Sequence, residues 1–541
     1  MIRTTKLLAA LAATTFLVAP AWAANVPDGV TLAEDQSFTY RVLDEHSSVD
    51  PQIVEDVSGS EIVRDLFEGL LTQSADGELL PGVATEWESN EDFTEWTFTL
   101  RDNAVWSDGE PVTAGDFVYA WQRLVDPETA SPYAWFGELM SLENASAIIA
   151  GEVEPSELGV EAVDDQTLVV RLSQGLPFFD SMLTHASTFP APAWVIEEHG
   201  DQWTRPENIV TNGAYILSEH VPQERSVRVK SDTYWDAENT VLETVTALVI
   251  NDENQALTRF LAGELDRTEV PTGQYPRLVE EYPDTAISIP TLCTYYYNFN
   301  LRDGGPEATQ DVRVRQALSY AVDRDVIVDQ VLQGGQTAAY VFAPVGMENM
   351  GTPEIGYEDM TQAERDAEAV RLMEEAGYGP GGETLELSIL YNTSDAHRQL
   401  ATVMGQMWQQ KLGVNTTLEN MEWNTFLEAR ENGDFDVSRG GWCADYNDPS
   451  TFLDLFNTNS GYNDAAYSNE EVDALLAEGK SLADAEEINA QIEEIVAEEM
   501  PVIPVYHYAN VYMLNPQIQE WPINNVEANW YSKDLYKVAA E

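Results

Sequence analysis

The sequence predicts an α/β protein. Three observations lead there: stretches of period-two apolar alternation are interleaved with stretches of helical periodicity, no repeat or low-complexity tract interrupts them, and 44% of the 541 residues are hydrophobic. A chain of this length buries a large core and divides into two or three domains. No stretch rich in Gly, Ser or Pro stands between them, so the domains are expected to be interleaved, with the chain crossing between lobes more than once.

From the N-terminus, residues 1–23 read as a signal peptide. Arg3 and Lys6 form a basic region, Leu7 to Val18 an apolar one, and Ala21-Trp22-Ala23 a small-x-small cleavage site. That apolar run is too short to span a bilayer, and no later one is long enough. Cleavage before Ala24 leaves no N-terminal cysteine for a lipid anchor, so the mature chain is expected to be exported, soluble and monomeric. Ile62, Val63, Leu66, Phe67 and Leu70 then mark an amphipathic helix entered through Ser58 or Ser60. Thr94 to Leu100 alternates apolar and polar side chains, as a half-buried strand does. The turn Trp106-Ser107-Asp108-Gly109 leads to Thr113-Ala114-Gly115-Asp116, a capping-box helix start, after which Phe117, Val118, Trp121 and Leu124 fall at helical spacing. Further on, the consecutive tyrosines 295–297 occupy an expected strand. Helices are expected around 314–322 and 400–408, and strands around 385–390 and 414–418.

Charge narrows the function. With 94 acidic and 27 basic residues the formal net charge is −67. Disorder would be the first explanation, but the hydrophobic content and 14 tryptophans argue for a packed protein. Self-repulsion on this scale needs screening by salt, which points to a high-salt, halophilic habitat. Nucleic-acid binding is excluded, because no basic stripe exists to neutralise phosphates. The two cysteines of an exported chain, Cys293 and Cys443, suggest one disulfide, the alternative being two buried thiols.

Catalytic and metal-binding patterns are missing. Histidines 46, 185, 199, 220, 397 and 507 show no metal-ligand spacing. Gly479-Lys480-Ser481 resembles the end of a phosphate-binding loop, but Ala474 stands where its leading glycine is required. No G-x-S-x-G elbow occurs. No cofactor or metal is expected, and a hydrolase is only the rival class.

The most informative stretch is Arg439 to Pro449, R-G-G-W-C-A-D-Y-N-D-P, whose glycines, Asn447 and Pro449 suit a loop. An aspartate between a tryptophan and a tyrosine suits an ammonium group, since the anion supplies charge while the aromatic faces exclude water. The string resembles the substrate-anchoring loop of the periplasmic oligopeptide-binding proteins, the solute receptors of peptide-importing ABC transporters. The strings W-S-D-G-E-P-V-T-A-G-D-F-V at 106–118, I-V-T-N-G-A-Y at 209–215, F-L-A-G-E-L-D at 260–266, L-C-T-Y-Y-Y at 292–297 and D-V-R-V-R-Q-A-L-S-Y-A-V-D-R-D at 311–325 extend the likeness over the mature chain. The resemblance implies a bilobal periplasmic-binding-protein fold with an extra third domain. By it, residues 24–67, 192–292 and 508–541 form the first lobe, 68–191 the extra domain and 293–507 the second lobe.

It also implies a periplasmic receptor that captures short peptides and delivers them to an inner-membrane ABC permease. A murein-peptide or other small-solute receptor of the same family is the alternative. Asp445 matches the position that takes the peptide ammonium, and Cys443 lies in the same loop. Glu55 and Val57, Tyr133 in S-P-Y-A, Tyr296, Trp423 and Arg430 match further cleft positions. Gly441 and Trp442 would offer backbone for strand-like pairing, and Arg439 and His397 match positions that face a peptide C-terminus. Two departures are visible: Leu332 stands where related members have a lysine, and Thr268-Glu269-Val270 where they have a tyrosine–asparagine pair.

Overall fold

The computed structural model describes residues 26–540 except 28, 380 and 483, so the expected signal peptide lies outside the described residues. An eleven-stranded mixed sheet runs through both lobes. Its order is Asn415–Met421, Glu386–Asn392, Val437–Cys443, Ala286–Phe299, Val502–Leu514, Arg267–Glu269, Ser37–Val42, Thr244–Val249, Arg225–Lys230 and Tyr215–Val221, with Thr337–Ala338 also against Val502–Leu514. The architecture is the α/β bilobal type that the sequence predicts, with an extra domain.

Two long strands join the lobes. Ala286–Phe299 and Val502–Leu514 pair antiparallel from Ala286 opposite Met513 to Asn298 opposite Val502, and the register breaks between Pro290 and Thr294. Proline cannot donate to the ladder, so the break falls where Pro290 sits. On one side of the break Val502–Leu514 pairs with Arg267–Glu269 of the first lobe. On the other, Ala286–Phe299 pairs with Val437–Cys443 of the second, setting Cys293 opposite Cys443. These two cysteines form a disulfide.

The extra domain holds a four-stranded antiparallel sheet, Ala84–Ser89, Glu95–Leu100, Thr167–Arg171 and Val160–Asp164 in that order. In Glu95–Leu100 the residues Trp96, Phe98 and Leu100 are buried, on the face the alternation assigns to the core. The helix Ala114–Val125 starts at the expected capping box of Thr113 and Asp116 and buries Phe117, Trp121 and Leu124. The earlier helix, Val57–Leu66, has a different cap from the one expected. Asp56, not Ser58 or Ser60, accepts from the Gly59 N–H at 2.6 Å, and both serines lie inside the first turn. This cap places Glu55, Asp56 and Val57 at the start of a fixed helix facing the second lobe.

Candidate functional site

Between the two lobes and the extra domain lies a cavity of about 510 Å³. That is the size range of small-ligand sites, about 300–1,000 Å³. Of the residues expected at the site, Glu55, Val57, Tyr133, His397, Trp423, Arg430, Arg439, Gly441, Trp442, Cys443 and Asp445 line it. Tyr296, contrary to the expectation, does not. It sits opposite Gly440 in the ladder, its ring lies where a Cβ of Gly440 would be, and it packs edge-on against Phe342. Strand alternation sends Tyr296 to the core on that face, while Tyr295 on the other lies beneath the Arg439 guanidinium at 5.3 Å.

Arg439 to Cys443, read from sequence as loop, are strand. The two glycines that suggested a loop make room instead: a side chain on Gly440 would strike Tyr296, and one on Gly441 would meet the Arg439 guanidinium and Tyr508. One edge of Val437–Cys443 is fully paired with Ala286–Phe299. The other pairs with Glu386–Asn392 only at Val437 and Ser438. Among the described residues no strand pairs with the second edge from Arg439 to Cys443, and Gly441, Trp442 and Cys443 line the cavity there. An extended ligand can pair with such an edge through its own backbone.

Just past the strand, the Asp445 side chain is only 8% exposed, with no lysine or arginine paired to it among the described residues. Its neighbours are neutral donors at long range: Thr451 Oγ1 to Oδ2 at 3.4 Å, Tyr133 OH to Oδ1 at 3.4 Å, and His185 Nε2 at 3.4 Å from Oδ1. Burial pushes its carboxyl up to about 8, with Glu527 adding a repulsive contribution. Glu527, held by Gln73 Nε2 at 2.9 Å, is itself pushed up to about 7 by burial. A buried acid left so poorly compensated is a socket for a cation.

Arg439 is the complement. It is buried and pairs with no carboxylate among the described residues, donating to neutral groups such as Asn392 Oδ1 at 3.5 Å and Tyr508 OH at 3.2 Å. Neighbouring His397 accepts no charge, because burial and then the Arg439 guanidinium hold it well below the usual imidazole range. Arg430, by contrast, is paired with buried Asp464 at 2.8 Å, so it serves the second lobe's own packing. Both Trp423 and Arg430 lie on the helix Trp423–Asn432. Trp423 Nε1 reaches Asp56 at 3.5 Å and Tyr462 OH donates to Glu55 at 3.1 Å, two contacts from second lobe to first.

The cavity also contains residues that sequence reasoning missed: Arg64, His185, Asn392, Tyr462, Tyr508 and Glu527. None stands in a distinctive string, and their chemistry appears only once distant segments meet. The departures are here too. Leu332, Glu269 and Val270 line the cavity, and Glu269 accepts from Arg41 at 2.7 Å, so that arginine's charge is matched within the protein.

Residues 78–464 match the family described as bacterial extracellular solute-binding proteins, family 5. The chain belongs to this family. It is 43% identical over 521 residues to the periplasmic murein peptide-binding protein MppA of Escherichia coli, covering 96% of each chain. It is also 43% identical over 537 residues to the periplasmic oligopeptide-binding protein OppA of Salmonella typhimurium, covering 98% of this chain and 96% of that one. The Haemophilus influenzae OppA complex with the peptide RPPGFSPFR superposes with a TM-score of 0.90 at 39% identity, over 94% of this chain and 100% of that one. The unliganded open form of E. coli MppA gives only 0.67 at 42% identity, over 95% of this chain and 99% of that one. Identity and coverage being alike, the lower score reports the same parts disposed differently. The solute-binding protein described here has its lobes arranged as in the peptide complex.

Proposed function

We propose that this solute-binding protein captures short peptides in the periplasm and delivers them to an inner-membrane ABC permease. One observation carries the reading: among the described residues, the unpaired edge at Arg439–Cys443 is flanked by a covered carboxylate with no lysine or arginine partner and a buried guanidinium with no carboxylate partner. A peptide supplies an ammonium for Asp445, a carboxylate for Arg439 and a backbone for the edge between them. Glu55, Val57, Tyr133 and Trp423 close around it from three domains, and contact with both lobes at once favours the closed arrangement. The lobes are assigned to 24–67 with 192–292 and 508–541, and to 293–507, with 68–191 as the extra domain. Residues 1–23 direct export, and the mature chain works as a monomer that leaves its ligand uncleaved.

Native mass spectrometry of protein isolated without denaturation, followed by calorimetry with the released ligand, tests the proposal. Intact peptides of a few residues are expected. Recovery of shortened products, or of a solute lacking both an ammonium and a carboxylate, would refute it. A murein peptide carries the same charged groups, so its titration against an all-L peptide of equal length decides between the two ligand classes.

A further inference from the structure

His185 lies in the extra domain, yet its ring meets the second lobe's Asp445. The imidazole caps the short turn Ala186–Thr188: its Nδ1 accepts from the Ser187 N–H at 3.4 Å and lies 2.8 Å from Ser187 Oγ. A ring nitrogen accepting from a backbone N–H carries no proton, so in the neutral ring the proton sits on Nε2. That Nε2 faces Asp445 Oδ1 at 3.4 Å. The ring plane is held by Tyr133, stacked at 4.8 Å, and by Phe136, tilted against it at 4.8 Å. Turn, tautomer and stacking together orient the N–H.

We propose that His185 is a positioning residue of the cation socket, a neutral imidazole whose Nε2–H donates to Asp445, directs that carboxylate at the ligand's ammonium and supports its ionised form once the ammonium is bound. The inference rests on reading the cavity as a site for an α-ammonium. A positively charged histidine would defeat the socket, since it would neutralise Asp445 before a ligand arrived. Burial works against that charge, pushing His185 down to about 3, with Arg64 adding to the effect. The other ionisable groups facing the pair are Tyr133, Glu527 and Arg64, with Glu55 beyond Tyr133. Of these, Tyr133 is a neutral donor and Glu527 repels, so His185 and Tyr133 are the extra domain's support for the second lobe's anion. Because the donors and the carboxylate belong to different domains, the socket is complete only when the protein is closed.

The test titrates trialanine and N-acetyl-trialanine into the wild type, His185→Phe, His185→Asn and His185→Gln. Phenylalanine keeps the stacking and loses the donor. Asparagine keeps a polar group near Ser187 but cannot reach Asp445, while the glutamine amide can. A hydrogen bond to a charged group is of a size to change affinity about tenfold. His185→Phe and His185→Asn should therefore weaken trialanine about tenfold and leave the acetylated peptide within about twofold, and His185→Gln should restore most of the loss. On acidification the affinity of His185→Asn for trialanine should begin to fall at a higher pH than that of the wild type, because an unsupported carboxylate protonates more readily. Equal weakening of both peptides, or unchanged binding and pH profile in the two loss variants, overturns the proposal. If instead the wild type itself binds both peptides alike, the ammonium reading of the cavity is what has failed.

Discussion

Removing the Asp445 carboxylate should cost the receptor its ability to tell a free peptide N-terminus from a blocked one. In the closed cavity the carboxylate side chain is 8% exposed, has no lysine or arginine partner among the described residues, and meets neutral donors at 3.4 Å. A ligand ammonium would enter as its one counter-charge, and both would be desolvated together. Truncating one member of such a buried charge pair costs roughly 2–5 kcal/mol, much of it the cost of the charge left behind. At about 1.4 kcal/mol per decade, Asp445→Ala should weaken a short peptide about thirtyfold to several thousandfold. N-acetylation should cost the wild type a similar factor. Against Asp445→Ala the acetylated and free peptides should bind alike, and calorimetry on the four combinations closes the cycle. Because burial pushes the empty site up to about 8, ammonium binding at neutral pH should also release a proton, which titration in two buffers of different ionisation enthalpy detects. Equal loss on acetylation in wild type and variant would mean that Asp445 does not read the N-terminus.

Arg439→Met should abolish any preference for a free peptide carboxylate over an amide; an unchanged preference in calorimetry would place the carboxylate elsewhere. Peptide mapping without reduction should recover Cys293 linked to Cys443, and Cys443→Ser should lower the melting temperature. The bond closes a loop of 150 residues, for which chain entropy alone predicts at most about 5 kcal/mol. Lowering salt from molar to millimolar should lower the melting temperature by many degrees, given a net charge of −67; no change would uncouple the acidity from stability. Ligand-free stability should also rise as pH falls from 8 and level off below about 6.5, the ordinary imidazole value. Burial raises Asp445 to about 8 and Glu493 and Glu527 to about 7, so there the folded state holds more protons than the unfolded chain and stability rises as pH falls from 8 towards 7. Burial lowers His185 to about 3 and His46 and His507 to about 4, so below the ordinary imidazole value of about 6.5 the unfolded chain takes up protons the folded one refuses, which offsets the carboxyl gain and flattens the rise. A melting temperature that falls as pH is lowered from 8 to 7 would refute this balance.

Residues whose role is set by their own string were legible in the sequence, and residues whose role is set by what they meet were not. The capping box at Thr113 and the alternation of 94–100 are local patterns, and the structure realises both. The composition of 439–449 marked the site. Its backbone is not decided by composition, because glycines in a strand and glycines in a loop look alike until the neighbouring rings are known, here Tyr296 over Gly440 and Tyr508 near Gly441. Tyr296 departs from its expected place for the related reason that three consecutive tyrosines do not reveal which face of the strand is the cavity. His185 gave no signal at all, since its partner lies in another domain. The same logic explains why Asp56, not a serine, caps the first helix: the carboxylate also accepts from Ser47 N–H and faces Trp423 across the cavity, so one side chain answers to three segments. A pattern within one segment can propose a cap or a strand. Only the meeting of segments decides which polar groups are satisfied by the protein and which, like Asp445 and Arg439, are left for a ligand.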